Sequence, residues 1–331
     1  MNTDIHKIAI VRLSALGDII NSAVVVQFIK GDYPNAAIDW ITEELFSDAL
    51  KPLKELRAVH TLNLKALKKE KNFALLMQNI KKLRTLDEYD IIIDMQGLIK
   101  SAIVARLIGK NTHGFDRDST RESLAALFYK TTSHIAYSEN VVKRNCHVVG
   151  DALKFEITDA MLLEKKAVFE ITQEFSLSTT KKNVAFVIGA SWESKIYPKE
   201  KIAQICNGLD TKCYIIWGNE KEKRDAEYIC AQSENAILAP AMNLEALISF
   251  ISHMDLLIGN DTGPTHIAWA QNIPSITLLG PTNRRMIYET PKNIAIESAS
   301  EVNIMKIDKN DFSIRDIPYT TILSKAKELL Q

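Results

Sequence analysis

Two stretches of this chain carry residue types that could do chemistry. The first, Arg12-Leu13-Ser14-Ala15-Leu16-Gly17-Asp18, closes the apolar run Ile8 to Leu13 and leads directly into the helical pattern Ile19 to Ile29. Small residues such as Ser14 and Gly17 let a backbone come close to a ligand. An acid at the carboxyl edge of a strand sits where open α/β sheets take their substrates. Asp18 there could meet a substrate, and it suits equally the positive end of a helix dipole.

The second stretch, Gly259-Asn260-Asp261-Thr262-Gly263-Pro264-Thr265-His266, lies between the run Leu256 to Ile258 and a helical pattern starting near Thr265. Free N–H groups at a helix start, with Gly263 and a Pro264 preset for the first turn, make a cradle for a diphosphate. Asp261 repels phosphate and suits sugar hydroxyls. The alternative is an N-capped turn with His266 satisfied inside the fold.

Three further features stand at equivalent strand ends: Ser191 to Lys195, Gly218 to Glu222, and Gly280-Pro281-Thr282. Successive strand ends converge on one crevice in a doubly wound sheet. Lys195 can neutralise a leaving diphosphate, and Glu222 can accept both hydroxyls of a ribose. In the first half, Asp94-Met95-Gln96-Gly97 leaves the run Ile91 to Ile93, and His113-Gly114-Phe115-Asp116 leads to Arg121-Glu122. A guanidinium with nearby lysines suits an anionic acceptor; helix capping by Asp94 and a surface charge pair at Arg121 are the plainer readings.

The elements that must position these groups follow from periodicity. Apolar runs alternate with helical patterns: Ile8 to Leu13 then Ile19 to Ile29, Ile38 to Thr42 then Leu45 to Leu50, and Ile91 to Asp94 then Leu98 to Ile108. The second half repeats the rhythm from Val184 to Leu279. Such alternation predicts parallel strands covered by helices. A length of 331 residues exceeds what one core usually fills. Two domains are therefore expected, 1–170 and 171–331, the joining segment ending in the polar stretch Ser176 to Lys182.

The composition is 46% hydrophobic and 25% charged, with 41 Lys and Arg against 41 Asp and Glu. Zero net charge removes the broad electrostatic footprint of a protein that coats nucleic acid. The most basic segment is Leu64 to Arg84, with Lys65, Lys68, Lys69, Lys71, Lys81, Lys82 and Arg84. No apolar run reaches the roughly 18 residues of a membrane span, and Met1 to Val11 has no secretory pattern. Four cysteines with no paired spacing fit reduced thiols in a cytoplasmic protein. Neither GxGxxG nor GxxxxGK[ST] occurs where a dinucleotide or P-loop site needs it.

At these residues the chain resembles the ADP-heptose:lipopolysaccharide heptosyltransferases, glycosyltransferase family 9, and among them the type I enzymes. The likeness is carried by Ser14 to Asp18, Asp94-Met95-Gln96-Gly97-Leu98-Ile99-Lys100-Ser101, His113 to Asp116 with Arg121-Glu122, Trp217-Gly218, Asp261-Thr262-Gly263 with His266, and Gly280-Pro281-Thr282. The resemblance implies an α/β GT-B fold, two Rossmann-like doubly wound domains facing across a cleft. The first domain would hold the acceptor and the second ADP-heptose, with the C-terminal helix free to pack back on the first.

It implies inverting transfer of L-glycero-D-manno-heptose to the first Kdo of Kdo-lipid A in lipopolysaccharide or lipooligosaccharide inner-core synthesis, with no cofactor and no metal. Asp18 matches the family's base and Lys195 its diphosphate-facing lysine. Glu222, Met242, Asp261, Thr262, Gly263 and His266 match its donor contacts, and Ser191 is expected on the donor side although its stretch, Gly189 to Ser194, replaces a more Thr-rich family segment. Ser14, Gly17, Asp94, Gln96, Lys100 and Arg121 fall on its acceptor side. The expected location is cytoplasmic, with transient contact to the inner membrane and no nucleic-acid partner. Two alternatives stay open: transfer to an already heptosylated core, and a nucleotide-sugar-binding or epimerase-like protein that transfers nothing.

Overall fold

The computed structural model describes residues 5–64, 66 and 73–331. The chain divides into two compact units at Val168/Phe169. Lys65, Lys68, Lys69 and Lys71 of the basic segment lie outside the described residues.

In the first unit the strands are β1 (Lys7–Val11), β2 (Ala37–Glu43), β3 (Leu56–Leu62), β4 (Ile91–Asp94), β5 (Thr112–Phe115) and β6 (Thr131–Ser133). They form one parallel sheet in the order β3-β2-β1-β4-β5-β6. The central strands are buried on both faces, which is why they read as continuous apolar runs. The expected helix Ile19 to Ile29 is two helices, α1 (Leu16–Ala23) and α2 (Val25–Asp32), meeting at Val24. Leu45 to Leu50 lies in a 3-10 helix, Glu44–Leu50.

After β3 the chain crosses over the sheet. It builds α3 (Phe73–Arg84), α4 (Ile99–Ile108) and a 3-10 helix, Ser123–Phe128. Leu83 of α3 and Val104 and Ala105 of α4 share one core cluster with Ala9, Val11, Ile41 and Ile92, and α4 packs against both α3 and the 3-10 helix. These three elements therefore cover one sheet face. Right-handed crossovers put α1 and α2 on the other. There α5 (Val141–Leu153) packs against both of them, followed by α6 (Asp159–Leu163).

The second unit repeats the plan with β7 (Asn183–Val187), β8 (Lys212–Ile216), β9 (Ala236–Leu238), β10 (Leu256–Asn260), β11 (Ser275–Leu279) and β12 (Asn293–Glu297). Its order is β12-β11-β10-β7-β8-β9, again all parallel. The helices are α7 (Lys199–Gly208), α8 (Glu220–Gln232), α9 (Leu244–Ser252), α10 (Gly263–Ala270) and α11 (Tyr319–Leu329). The C-terminal α11 packs on α7, and Leu323 lies so close to Gly208 that a Cβ there would sit 2.5 Å from its Cδ2. Among the described residues no helix is long and apolar enough to cross a membrane.

In each sheet the strand order reverses between the first and fourth strands of the unit, β1/β4 and β7/β10. Loops leaving those strands diverge to opposite faces and open a crevice, the usual ligand position in such sheets. All four loops are among those singled out from the sequence.

Candidate active site

In the first unit the loop after β1 meets the loop after β4. Arg12 is buried where β1 ends, and its Nη2 lies 2.9 Å from Asp18 Oδ1 while Nη1 donates to the Met95 carbonyl. Asp18 occupies the first turn of α1 and also accepts from the Ala15 N–H at 3.2 Å, so both carboxylate oxygens are fixed. Its side chain remains 28% exposed. Across the crevice, Gln96 Oε1 accepts from the Leu13 N–H at 2.8 Å and its Nε2 lies 3.4 Å from Ser14 Oγ. Lys100, in the first turn of α4, donates to the same Ser14 hydroxyl at 3.1 Å. Gly17 lies beside Asp18 on α1. The structure thus brings Ser14, Gly17, Asp18, Gln96 and Lys100 together.

Asp94, expected among the acceptor contacts, is instead fully buried. Tyr129 donates to Oδ2 at 2.7 Å, and the N–H groups of Gln96 and Gly97 donate to Oδ1 at 2.8 and 3.3 Å. Burial drives its pKa up against those donors. Its part is to shape the turn that presents Gln96. Gly97 has φ of +67°, and a Cβ there would meet the Phe115 ring at 2.8 Å, so two constraints select glycine.

Arg121 is exposed and has no side-chain partner among the described residues. The loop that carries it is held from both ends: Thr120 Oγ1 donates to the Gly97 carbonyl, and Glu122 accepts from the Ile99 N–H at 2.7 Å. Arg144 of α5, buried between the Phe115 and Tyr137 rings, donates to the carbonyls of Ser119, Ile135 and Ala136. The sequence gives Arg12 no role beyond its place in the first loop, and Arg144 none. A charged residue ending a buried strand was the available signal for Arg12; nothing local marks Arg144.

In the second unit the same switch point gathers residues expected on the donor side. Lys195 Nζ lies 2.6 Å from Asp261 Oδ2, and His266 Nε2 lies 3.3 Å from Asp261 Oδ1. The Lys195 and Asp261 side chains are only 9% and 3% exposed. Burial works to raise the Asp261 carboxyl, but the Lys195 charge and His266 outweigh it and hold it well below the usual carboxylate range. Asp261 was expected to meet sugar hydroxyls; both its oxygens are already engaged, and its evident work is to hold Lys195.

Asn260, just before it, ties the two loops together. Its side chain donates to the Ile188 and Gly189 carbonyls at 2.9 and 3.3 Å and accepts from the Tyr197 N–H at 3.1 Å. The helix at this edge begins at Gly263, two residues earlier than the periodicity indicated, with Thr262 in the capping position. Thr262 makes no side-chain cap, Pro264 carries no N–H, and the Thr265 N–H is spent on the Thr262 carbonyl at 3.1 Å, which leaves the N–H groups of Thr262 and Gly263 as the backbone donors for an anion.

Glu222 sits in the first turn of α8, its carboxylate directly over Gly189, where a Cβ would lie 2.4 Å from it. Gly218 N–H and Asn219 Nδ2 each donate to it at 2.7 Å. Ser191 is exposed, and with Glu222, Trp192 and Asn219 it lines a cavity of about 560 Å³. Met242 is half-buried in the loop between β9 and α9.

Among the described residues one group of three potential metal ligands occurs, Asp116, Asp118 and His134. It lies on the surface, and none of the residues expected in catalysis belongs to it.

The pattern of glycosyltransferase family 9 (heptosyltransferase) matches residues 77–311. Lipopolysaccharide heptosyltransferase 1 of Campylobacter coli is 38% identical, with 98% of each chain covered. Among solved structures, Escherichia coli heptosyltransferase WaaC with ADP-2-deoxy-2-fluoro heptose superposes with a TM-score of 0.80 at 22% identity, covering 97% of this chain and 99% of that one. E. coli ADP-heptose lps heptosyltransferase II superposes less well, with a TM-score of 0.69 at 18% identity and 98% of each chain covered. Both share the two parallel six-stranded sheets of the GT-B fold. With the family pattern spanning most of its length and a relative of that identity over nearly all of it, the chain belongs to glycosyltransferase family 9, the heptosyltransferases.

Proposed function

We propose that this chain transfers L-glycero-D-manno-heptose from ADP-heptose to the first Kdo of Kdo-lipid A, with inversion at the anomeric carbon and without a metal. The observation that carries the reading is the buried Lys195–Asp261–His266 cluster beside a helix start, in a chain 38% identical to a lipopolysaccharide heptosyltransferase 1. A lysine held in a dry site by a carboxylate is poised to meet a second anion.

The donor is held by the second unit. Glu222 accepts the ribose hydroxyls, Met242 packs on the adenine, and Ser191, Thr262 and Gly263 face the diphosphate. The acceptor is held by the first unit. Lys100 and Arg121 pair with its anionic groups, and Ser14, Gly17 and Gln96 line the crevice beside Asp18.

In the transfer, Asp18 takes the proton from the acceptor hydroxyl as that oxygen attacks the anomeric carbon. The bond from that carbon to the β-phosphate oxygen breaks, and its electron pair leaves with ADP. General-base help of this kind is worth about 100- to 10,000-fold. Arg12 keeps the Asp18 carboxylate aimed, and Lys195 with the backbone donors at α10 offsets the charge that grows on the leaving diphosphate. No step needs a Lewis acid. The work is done at the cytoplasmic face of the inner membrane, where the lipid acceptor is found.

Mass spectrometry of Kdo-lipid A after incubation with ADP-heptose and the protein tests this. A single added heptose is expected, lost in Asp18→Asn while ADP-heptose still binds. Addition only to an already heptosylated acceptor would assign the second type of activity. Donor binding with no transfer to either acceptor would sink the transferase reading.

A further inference from the structure

Eleven large apolar side chains stand exposed among the described residues, and five of them lie on α3, α4 and the 3-10 helix Ser123–Phe128. Those elements make up less than a tenth of the chain and cover one face of the first sheet. The five are Phe73 and Met77 on α3, Ile103 on α4, and Leu124 and Leu127 on the 3-10 helix. Phe73 is 72% and Leu127 71% exposed. Their spacing aligns them: Phe73 and Met77 are one helical turn apart, and residues three apart eclipse on a 3-10 helix.

Charge on the same face is one-sided. α3 carries Lys81, Lys82 and Arg84, α4 carries Lys100 and Arg106, and neither helix contains a carboxylate, although the whole chain is neutral. Lys100, Ile103 and Arg106 form a single exposed stripe along α4. At its first turn Lys100 donates to Ser14 of the acceptor crevice at 3.1 Å. Glu122, the nearest acid in sequence to the 3-10 helix, is committed to the Ile99 N–H.

We propose that this face is where the protein lies on an anionic phospholipid bilayer. The apolar side chains enter the boundary between headgroups and acyl chains, and the cations meet lipid phosphates. An apolar cluster rimmed by one sign of charge is the pattern of a surface binder rather than of a solvated face. Continuity with Ser14 and Lys100 gives the placement its use, because an acceptor whose acyl chains stay in the bilayer then presents its sugar at the crevice. That last step rests on the acceptor proposed above; the docking itself does not.

Flotation of the full chain with phosphatidylcholine vesicles, with and without phosphatidylglycerol, tests the docking. The wild type is expected to float with phosphatidylglycerol vesicles and to be released by salt. Lys81→Glu with Arg106→Glu should weaken that partitioning at least about 30-fold, from about fivefold per basic residue near an anionic surface. Met77→Ser with Leu124→Ser and Leu127→Ser should weaken binding to both vesicle types. Circular dichroism confirms that each variant is folded, and transfer to a deacylated, water-soluble acceptor should be unchanged in both.

A wild type that stays with the soluble fraction, or variants that float as it does, would overturn the proposal. So would self-association in sedimentation that the apolar variant abolishes while vesicle binding persists, which would give the face to a second copy. If flotation behaves as expected but the wild type transfers nothing to the soluble acceptor, the functional reading fails and the docking surface stands.

Discussion

Asp261→Asn probes the proposed donor side most directly. The Lys195 ammonium sits 2.6 Å from Asp261 Oδ2 with both side chains almost wholly buried. Two unit charges that close attract by about 6 kcal/mol at an effective dielectric constant of 20, and desolvation of both offsets part of that. Removing one member of a buried pair costs about 3–5 kcal/mol, because the other charge stays behind unpaired. Asparagine keeps an acceptor oxygen near the ammonium, which places the expected cost near the lower end. For a domain of this size about 1 kcal/mol moves Tm by about 2–4 °C, so the second unit should melt about 6–12 °C lower.

Ligand dependence then separates a structural pair from a poised one. If Lys195 faces the diphosphate, ADP returns the missing counter-charge, and the variant gains more from it than the wild type does. Saturation at about 100 times Kd is worth about 2.7 kcal/mol to a protein that binds with unaltered affinity, and the variant should exceed this. Scanning calorimetry of both proteins with and without ADP measures it. A variant melting within about 2 °C of wild type, or equal gains from ADP, would refute the reasoning.

Three further outcomes follow from the geometry. His113 is buried between Thr131 Oγ1 and Ser133 Oγ, each at 2.8 Å, and burial pushes its pKa down to about 4. A depressed histidine favours the fold while neutral, so stability should be full above about pH 6.5 and fall by up to about 3 kcal/mol as pH drops toward 4; urea melts across that window should lose this component in His113→Gln. Gly97→Ala should cost at least about 1–2 kcal/mol from the left-handed backbone alone, with more from the Phe115 contact, and should lower transfer by displacing Gln96; denaturant melts and acceptor KM read the two effects. Glu222→Ala should weaken ADP-heptose binding roughly tenfold or more, since hydrogen bonds to charged groups contribute about 1.5–3 kcal/mol, while leaving acceptor KM unchanged in calorimetric and kinetic titrations.

Legibility of the fold followed burial. Strands β1, β2, β4, β7, β8, β10 and β11 are enclosed on both faces, so selection for apolar side chains left runs that any reader of the chain can find. β3, β5, β6, β9 and β12 carry no such run. β3 is half-exposed and carries Arg57 and His60, β6 is Thr-Thr-Ser, and β9 has three residues. Such strands are held by neighbours rather than by their own pattern. The split at Val24 was invisible because both helices bury the same apolar types.

The site divides in the same way. Residue type and position at strand ends marked Asp18, Lys195, Glu222, Asp261 and His266, because a doubly wound sheet brings certain strand ends together whatever fills the rest of the fold. Which partner each would find was decided only by tertiary structure. Arg12 aims Asp18, Asp261 holds Lys195, Asn260 joins the loops after β7 and β10, and Asp94 is sealed beneath the turn it shapes. The face formed by α3, α4 and the 3-10 helix is likewise a product of packing, since its apolar and basic residues are scattered from Phe73 to Leu127 in the chain. A sequence records which groups a chain can offer at each position; whether a charge ends paired, buried or bare depends on distances across elements far apart in the chain, and those exist only once the sheets have formed.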